Sequence, residues 1–150
     1  MIQVLGHFTR GKKSKWLNGT IKNSRYRLIE RGWLARDGRG YLRLTSDGKR
    51  ALRQMELADF KTKKPRRWDK KWRVIIFDIK EQKHSLRDKI RNTLVCIGFK
   101  RLQHSVWVYP YDCEDLITLL KADFRIGKDV LYLIVDKVEN DTFLKKEFGM

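Results

Sequence analysis

Trp72-Arg73-Val74-Ile75-Ile76-Phe77-Asp78-Ile79 is the stretch whose reading decides the fold. It is a nearly continuous apolar run, the pattern of a strand covered on both faces at the centre of a sheet. Toward the C-terminus, Leu86, Ile90, Leu94 and Ile97 recur at i, i+4, i+8 and i+11. That spacing predicts an amphipathic helix over residues 85–97, stopped by Gly98. Residues 99–111 are strand-like, with Leu102 and then Val106-Trp107-Val108-Tyr109, and Pro110 keeps a central strand from continuing. Asp112 is placed to cap a further helix from Glu114 to about Phe124, which carries Leu116, Ile117, Leu119 and Leu120. Gly127-Lys128-Asp129 reads as a turn, and Val130-Leu131-Tyr132-Leu133-Ile134-Val135 as another buried strand.

The resulting order, β-α-ββ-α-β, is that of a ferredoxin-like plait, and the expected class is α+β. Upstream of the plait the charge changes. Up to Trp68 there are 19 Lys and Arg against five Asp and Glu (+14), and beyond it 16 against 13 (+3). The basic run Lys61-Thr62-Lys63-Lys64-Pro65-Arg66-Arg67 marks the seam. The expected organisation is a basic module over residues 1–60, a linker over 61–68 and the plait over 69–150. In the linker, Lys63, Lys64, Arg66 and Arg67 are either solvated or in contact with phosphates.

In the basic module, residues 15–31 read as a helix. Leu17, Ile21 and Leu28 share one face, and Lys15, Asn18, Lys22, Arg25 and Tyr26 cluster on another. Gly32 ends it. Trp33-Leu34-Ala35 and Tyr41-Leu42-Arg43-Leu44 flank Arg36-Asp37-Gly38-Arg39-Gly40, whose two glycines are available for positive φ, so a β-hairpin is expected. Thr45 is placed to cap a second helix from Ser46 to about Phe60.

Helix, basic hairpin and helix follow one another as in a winged helix-turn-helix from its recognition helix onward. The polar helix face suits the major groove, and Arg36, Arg39 and Arg43 suit the sugar-phosphate backbone or the minor groove. Two helices precede the recognition helix in that fold, whereas only residues 1–14 stand before this one and Gly6-His7-Phe8-Thr9-Arg10-Gly11 does not read as helical. The expectation is therefore a partial winged helix-turn-helix, either shortened or completed by a partner.

Composition sets further bounds. The net charge of +17 points to a polyanion, and double-stranded DNA is the default partner. No stretch approaches ~18 uncharged apolar residues, so no membrane span is expected. The start lacks the apolar core of a signal peptide, and Cys96 and Cys113 match no metal or redox spacing. A cytoplasmic protein with reduced thiols is the expectation. There is no Gly-rich phosphate loop, zinc spacing or cofactor fingerprint, and no cofactor is expected from the residues alone.

Phe77-Asp78-Ile79, Leu86-Arg87, Gly98-Phe99 and Arg101-Leu102-Gln103-His104-Ser105-Val106-Trp107 resemble the signature of the small CRISPR adaptation nuclease family. The same plait is similar to the central domain of the phenylacetate-degradation repressor (PaaX-like) family, where it follows a winged helix and its strand ends in a Trp-Val/Ile-x-Pro sequence. Here that sequence is Trp107-Val108-Tyr109-Pro110. The resemblance covers about residues 19–138. It implies a DNA-binding regulator that forms a homodimer through the plait. The nuclease relatives imply a different role for Asp78: paired with its symmetry mate across the dimer, it would hold Mg²⁺ and act in catalysis. Read from the residues alone, Asp78 is a lone acid after four apolar residues that caps the strand or pairs with Arg87. His104 and Ser105 alternate across a strand and so point apart, which argues against a nucleophile-base pair. Gln103 and Ser105 suit support of the strand edge or dimer. Asp112, Glu114 and Asp115 suit a helix start, where the dipole favours acids.

Two functions of different class follow. The first is a dimeric DNA-binding transcriptional regulator. The second is a metal-dependent nuclease, or a subunit that holds DNA for an integrase partner in a CRISPR spacer-acquisition complex. A structural DNA clamp without sequence preference is a third. No residue argues for a particular effector ligand.

Overall fold

The structure, a computed structural model, describes residues 23–57 and 67–150. Residues 23–30 form a helix, α1. It closes at Gly32, whose φ of +70° a side chain would oppose, while the Trp33 N–H returns to the Leu28 carbonyl at 2.9 Å. β1 (Leu34–Arg36) and β2 (Leu42–Leu44) then pair antiparallel, with Leu34 opposite Leu44 and Arg36 opposite Leu42. α2 (Ser46–Leu57) follows. Thr45 caps it as expected, its hydroxyl accepting the Gly48 N–H at 3.0 Å. The expected continuation to Phe60 lies outside the described residues.

The second unit begins with β3 (Trp72–Phe77), followed by a short 3₁₀ turn (Glu81–Lys83) and α3 (His84–Ile97). β4 (Lys100–Gln103), β5 (Val106–Tyr109), α4 (Glu114–Phe124) and β6 (Val130–Val135) complete the β-α-β-β-α-β order. The four strands make one antiparallel sheet in the order β4-β5-β3-β6. The apolar run of β3 takes the inner place because almost all of it is covered on both faces: Trp72, Val74, Ile75 and Phe77 are buried and Ile76 is half-buried. Ile75 meets Ile90 and Leu94 of α3 and Ile117 and Leu120 of α4 around one small void. The α+β class expected from the sequence is what the chain adopts.

Three local expectations need correction. His104 and Ser105 do not alternate along a strand; they are the turn between β4 and β5. A register shift between Arg101 and Gln103 puts a bulge into the ladder before its last pair, Gln103 with Val106, and the Ser105 carbonyl accepts the Phe77 N–H at 3.1 Å. The N-cap of α4 is Cys113, not Asp112, whose carboxylate instead accepts the Glu114 N–H at 3.1 Å from one residue further out. Only Gly40 of the two hairpin glycines takes positive φ, +82°. A helix that the apolar periodicity did not announce, α5 (Thr142–Phe148), packs Phe148 against Trp72 with ring centres 5.9 Å apart.

The two units share one continuous core. Leu28, Leu34 and Leu52 of the first belong to the same buried cluster as the residues around β3. Within β3, Arg73 is a buried cation. Asp69 accepts two hydrogen bonds from it, both at 2.7 Å, and the Lys71 and Pro110 carbonyls accept at 3.0 and 3.2 Å. Burial works against the guanidinium charge, but the bonds and field of Asp69 more than offset it and hold the group protonated.

Gly48 shows how tightly the first unit is built. A Cβ there would lie 2.0 Å from the Trp33 carbonyl oxygen, the same oxygen that accepts the Thr45 N–H at 3.1 Å. Gly48→Ala should therefore lower stability by about 1–3 kcal/mol in urea unfolding, despite the ~1 kcal/mol that alanine gains in a helix. Gly38, with open space around it and no positive φ, should accept alanine within about 0.5 kcal/mol in the same measurement.

Candidate nucleic-acid interface

α1 is held by one face. Leu28 and Ser24 are fully buried, one apolar and one polar. The Ser24 hydroxyl donates to Asp115 Oδ1 of α4 at 2.6 Å and lies 3.3 Å from the Thr118 hydroxyl. Arg27 donates to the same Asp115 oxygen at 2.7 Å. These bonds fix the rotation of α1 and turn Arg25 and Tyr26 to the exposed side. Lys15, Asn18 and Lys22 lie outside the described residues.

Asp37 organises the hairpin. Its carboxylate accepts the Arg39 N–H at 2.9 Å, the Tyr41 N–H at 3.0 Å and the Arg43 guanidinium at 2.7 Å. The Arg43 bond, joined by the two backbone N–H groups, holds the Asp37 carboxyl below its ordinary range. Its carbonyl also accepts the Gly40 N–H at 2.8 Å, closing the turn. Arg36 donates to the Gly40 carbonyl at 3.2 Å. Two of the three hairpin arginines are thus tied across the hairpin, and Arg39 stands exposed at its tip. Of the linker cations, Arg67 is exposed, while Lys63, Lys64 and Arg66 lie outside the described residues.

Between the hairpin and α4 runs a cleft of about 570 Å³. Leu42 and Ile117 supply apolar wall, Tyr132 and Glu114 polar groups, and Arg25, Lys121, Arg125 and Lys128 positive charge. Glu114 is buried, and its carboxyl is pushed up to about 7 by burial and then by neighbouring Asp112. Burial likewise pushes the Cys113 thiol up to about 12; its sulfur sits 3.8 Å from the Tyr132 hydroxyl. The sequence reading missed this cleft because its walls are more than 70 residues apart in the chain. It missed Ser24 as well. The available signal was a polar residue standing in the helical stripe between Ile21 and Leu28.

Asp78 is exposed just beyond β3, its N–H bonded to the Asp129 carbonyl at 2.9 Å. It forms no ion pair with Arg87. Among the described residues, no three His, Cys, Asp or Glu side chains gather as metal ligands. One carboxylate is a poor donor set for Mg²⁺, which binds through several oxygens. The described residues of a single chain therefore do not fit the ion.

The class so defined is an α+β protein carrying a basic helix-and-hairpin unit on a four-stranded antiparallel sheet unit. The family model described as PaaX protein central Cas2-like domain matches residues 65–144, and the chain belongs to the PaaX-like family. Among solved structures it is similar to the uncharacterized protein Rv0674 from Mycobacterium tuberculosis, with 20% identity and a TM-score of 0.42. That match covers 86% of this chain and 51% of the other, so the chain spans about half the length of that structure. No curated protein matches it. Among the described residues no helix is long and apolar enough to cross a membrane.

The raised Glu114 carboxyl has a pH signature. The folded state holds this proton more tightly than the unfolded chain, whose glutamate titrates near 4.5. The stability it confers is fully present below that value and is lost as pH rises through about 7. Thermal unfolding between pH 5 and 8 should show a decline toward neutrality in the native protein. Glu114→Gln should flatten that decline; an unchanged slope would assign the titration elsewhere.

Proposed function

We propose that this chain is a DNA-binding transcriptional regulator, with a partial winged helix-turn-helix as its reading head and a ferredoxin-like plait as its dimerisation unit. The observation that carries the reading is the arrangement of the first unit. α1 and the β1–β2 hairpin are anchored on their inner sides and present Arg25, Tyr26 and Arg39 outward. The excess of +17 supports it, since binding a duplex releases counterions in proportion to the phosphates neutralised. Support for the plait comes from the β4-β5-β3-β6 order and from the matched central domain of the family. In this reading the head occupies residues 1–60, the linker 61–68 and the plait 69–150. Arg25 and Tyr26, with Lys15, Asn18 and Lys22, face the major groove. Arg39 and the linker residues Lys63, Lys64, Arg66 and Arg67 follow the backbone, and Arg36 and Arg43, tied within the hairpin, hold its tip against it.

A homodimer places two heads on one duplex and raises affinity through effective concentration. The site of action is the cytoplasm. A second reading, a Mg²⁺-dependent nuclease, draws on Asp78, which is exposed and forms no ion pair among the described residues. It requires the mate of Asp78 across the same dimer.

One experiment separates these. The full chain is titrated onto a labelled duplex from 50 to 200 mM salt, with and without Mg²⁺. The regulator reading expects a ~10³-fold loss of affinity across that range if about six phosphates are neutralised, and two chains per duplex by sedimentation. Arg39→Ala should lower the salt slope by about one on every sequence tested. The DNA should be recovered intact. Cleavage in Mg²⁺ that disappears in Asp78→Asn would favour the nuclease, and a salt-independent affinity would sink both.

A further inference from the structure

We infer that the DNA interface extends onto the second unit, where Lys121, Arg125 and Lys128 take backbone phosphates of the duplex that the hairpin holds. This rests on the DNA-binding reading above and enlarges its footprint into the half of the chain whose net charge is only +3.

Three observations carry it. The first is placement: these three cations and Arg25 of α1 line the same cleft, facing the hairpin from α4 and the turn after it. None of the four forms an ion pair among the described residues. The two acids of the cleft do not neutralise them. Asp37 is engaged by Arg43 at 2.7 Å, and the Glu114 carboxyl, pushed up to about 7, carries only part of its charge at neutral pH.

The second observation is Arg125 itself. It ends α4 in the left-handed conformation, with φ of +54°. That position favours glycine or asparagine, and a long side chain there costs stability. The third is Lys121, half-buried on α4. Its ammonium is held below its ordinary range by burial and then by the charge of Arg25. The fold thus keeps one cation in a disfavoured backbone conformation and another in a partly dry site beside a like charge. Neither placement benefits the folded chain; an anion in the cleft would offset the crowded charges of Lys121 and Arg25 and give the Arg125 side chain a partner, while leaving its backbone conformation as it is. Residues kept against local stability are expected at binding sites. A polymer of phosphates fits better than a single ion, because the cations are distributed over α1, α4 and the loop beyond rather than supplied by one element.

The test uses the opposite signs that follow. In the full chain, Lys121→Met keeps the stem and removes the charge, and Arg125→Gly relieves the backbone. The doubly substituted protein should melt at or above the temperature of the native chain. Its affinity for a duplex of arbitrary sequence at 100 mM salt should nevertheless fall at least ~10-fold, and the salt slope by about two. Arg39→Ala serves as the reference. If Arg39→Ala weakens binding and the double variant binds within twofold of the native chain, the inference fails and the DNA reading stands. A melting temperature several degrees lower would show that the two cations are structural, which also overturns it. Stabilisation of the native chain by pyrophosphate, with DNA affinity unchanged in the double variant, would assign the cleft to a small phosphorylated ligand instead. If the native chain binds no duplex, the inference and the reading fall together.

Discussion

One carboxylate holds the molecule's two units in register. Asp115, in the first turn of α4, accepts a hydrogen bond from Ser24 and another from Arg27, both from α1. A buried hydroxyl without a partner is costly, and a hydrogen bond to a charged group is worth more than a neutral one. Ser24 therefore stays in the core only where α4 supplies that oxygen. The rotation of α1 about its axis, the outward direction of Arg25 and Tyr26, and the seat of the hairpin against α4 all follow. An alternative docking of the head would leave Ser24 buried and unsatisfied.

The excess positive charge is accordingly not uniform in what it can do. Some cations are already used. Arg73 is enclosed by Asp69, Arg43 is bonded to Asp37, and Arg27 is bonded to Asp115. Others sit where the fold gains nothing from their charge, and these border the cleft and the hairpin tip. Salt bridges at exposed sites contribute little to stability, so the paired surface cations act chiefly to set geometry. Arg43 is an example: its bond to Asp37 spans the hairpin and pins the tip that carries Arg39.

Much of the architecture was legible because burial imposes periodicity. β6 was expected over residues 130–135 and lies there, and α3 and α4 begin within one residue of their expected starts. Those elements are covered by their own apolar faces, so their neighbours in sequence report on them. The features that escaped depend on atoms far along the chain. Gly48 is required by the carbonyl of Trp33, Ser24 by an aspartate 91 residues away, and the turn at His104 and Ser105 by the Phe77 N–H. The site was legible as a sign and a location of charge, not as a surface: a basic helix face and hairpin could be read, but their pairing with α4 could not.

The most direct measurement is a double-mutant cycle on Ser24 and Asp115, read by urea unfolding of the full chain. Ser24→Ala, Asp115→Ala and the double variant give the coupling between the two side chains. The account predicts an interaction of about 1–2 kcal/mol, the double variant losing less than the sum of the singles. Losses that add to within about 0.3–0.5 kcal/mol would mean that the hydroxyl and the carboxylate do not act together, and that α1 is not held on α4 in the way described.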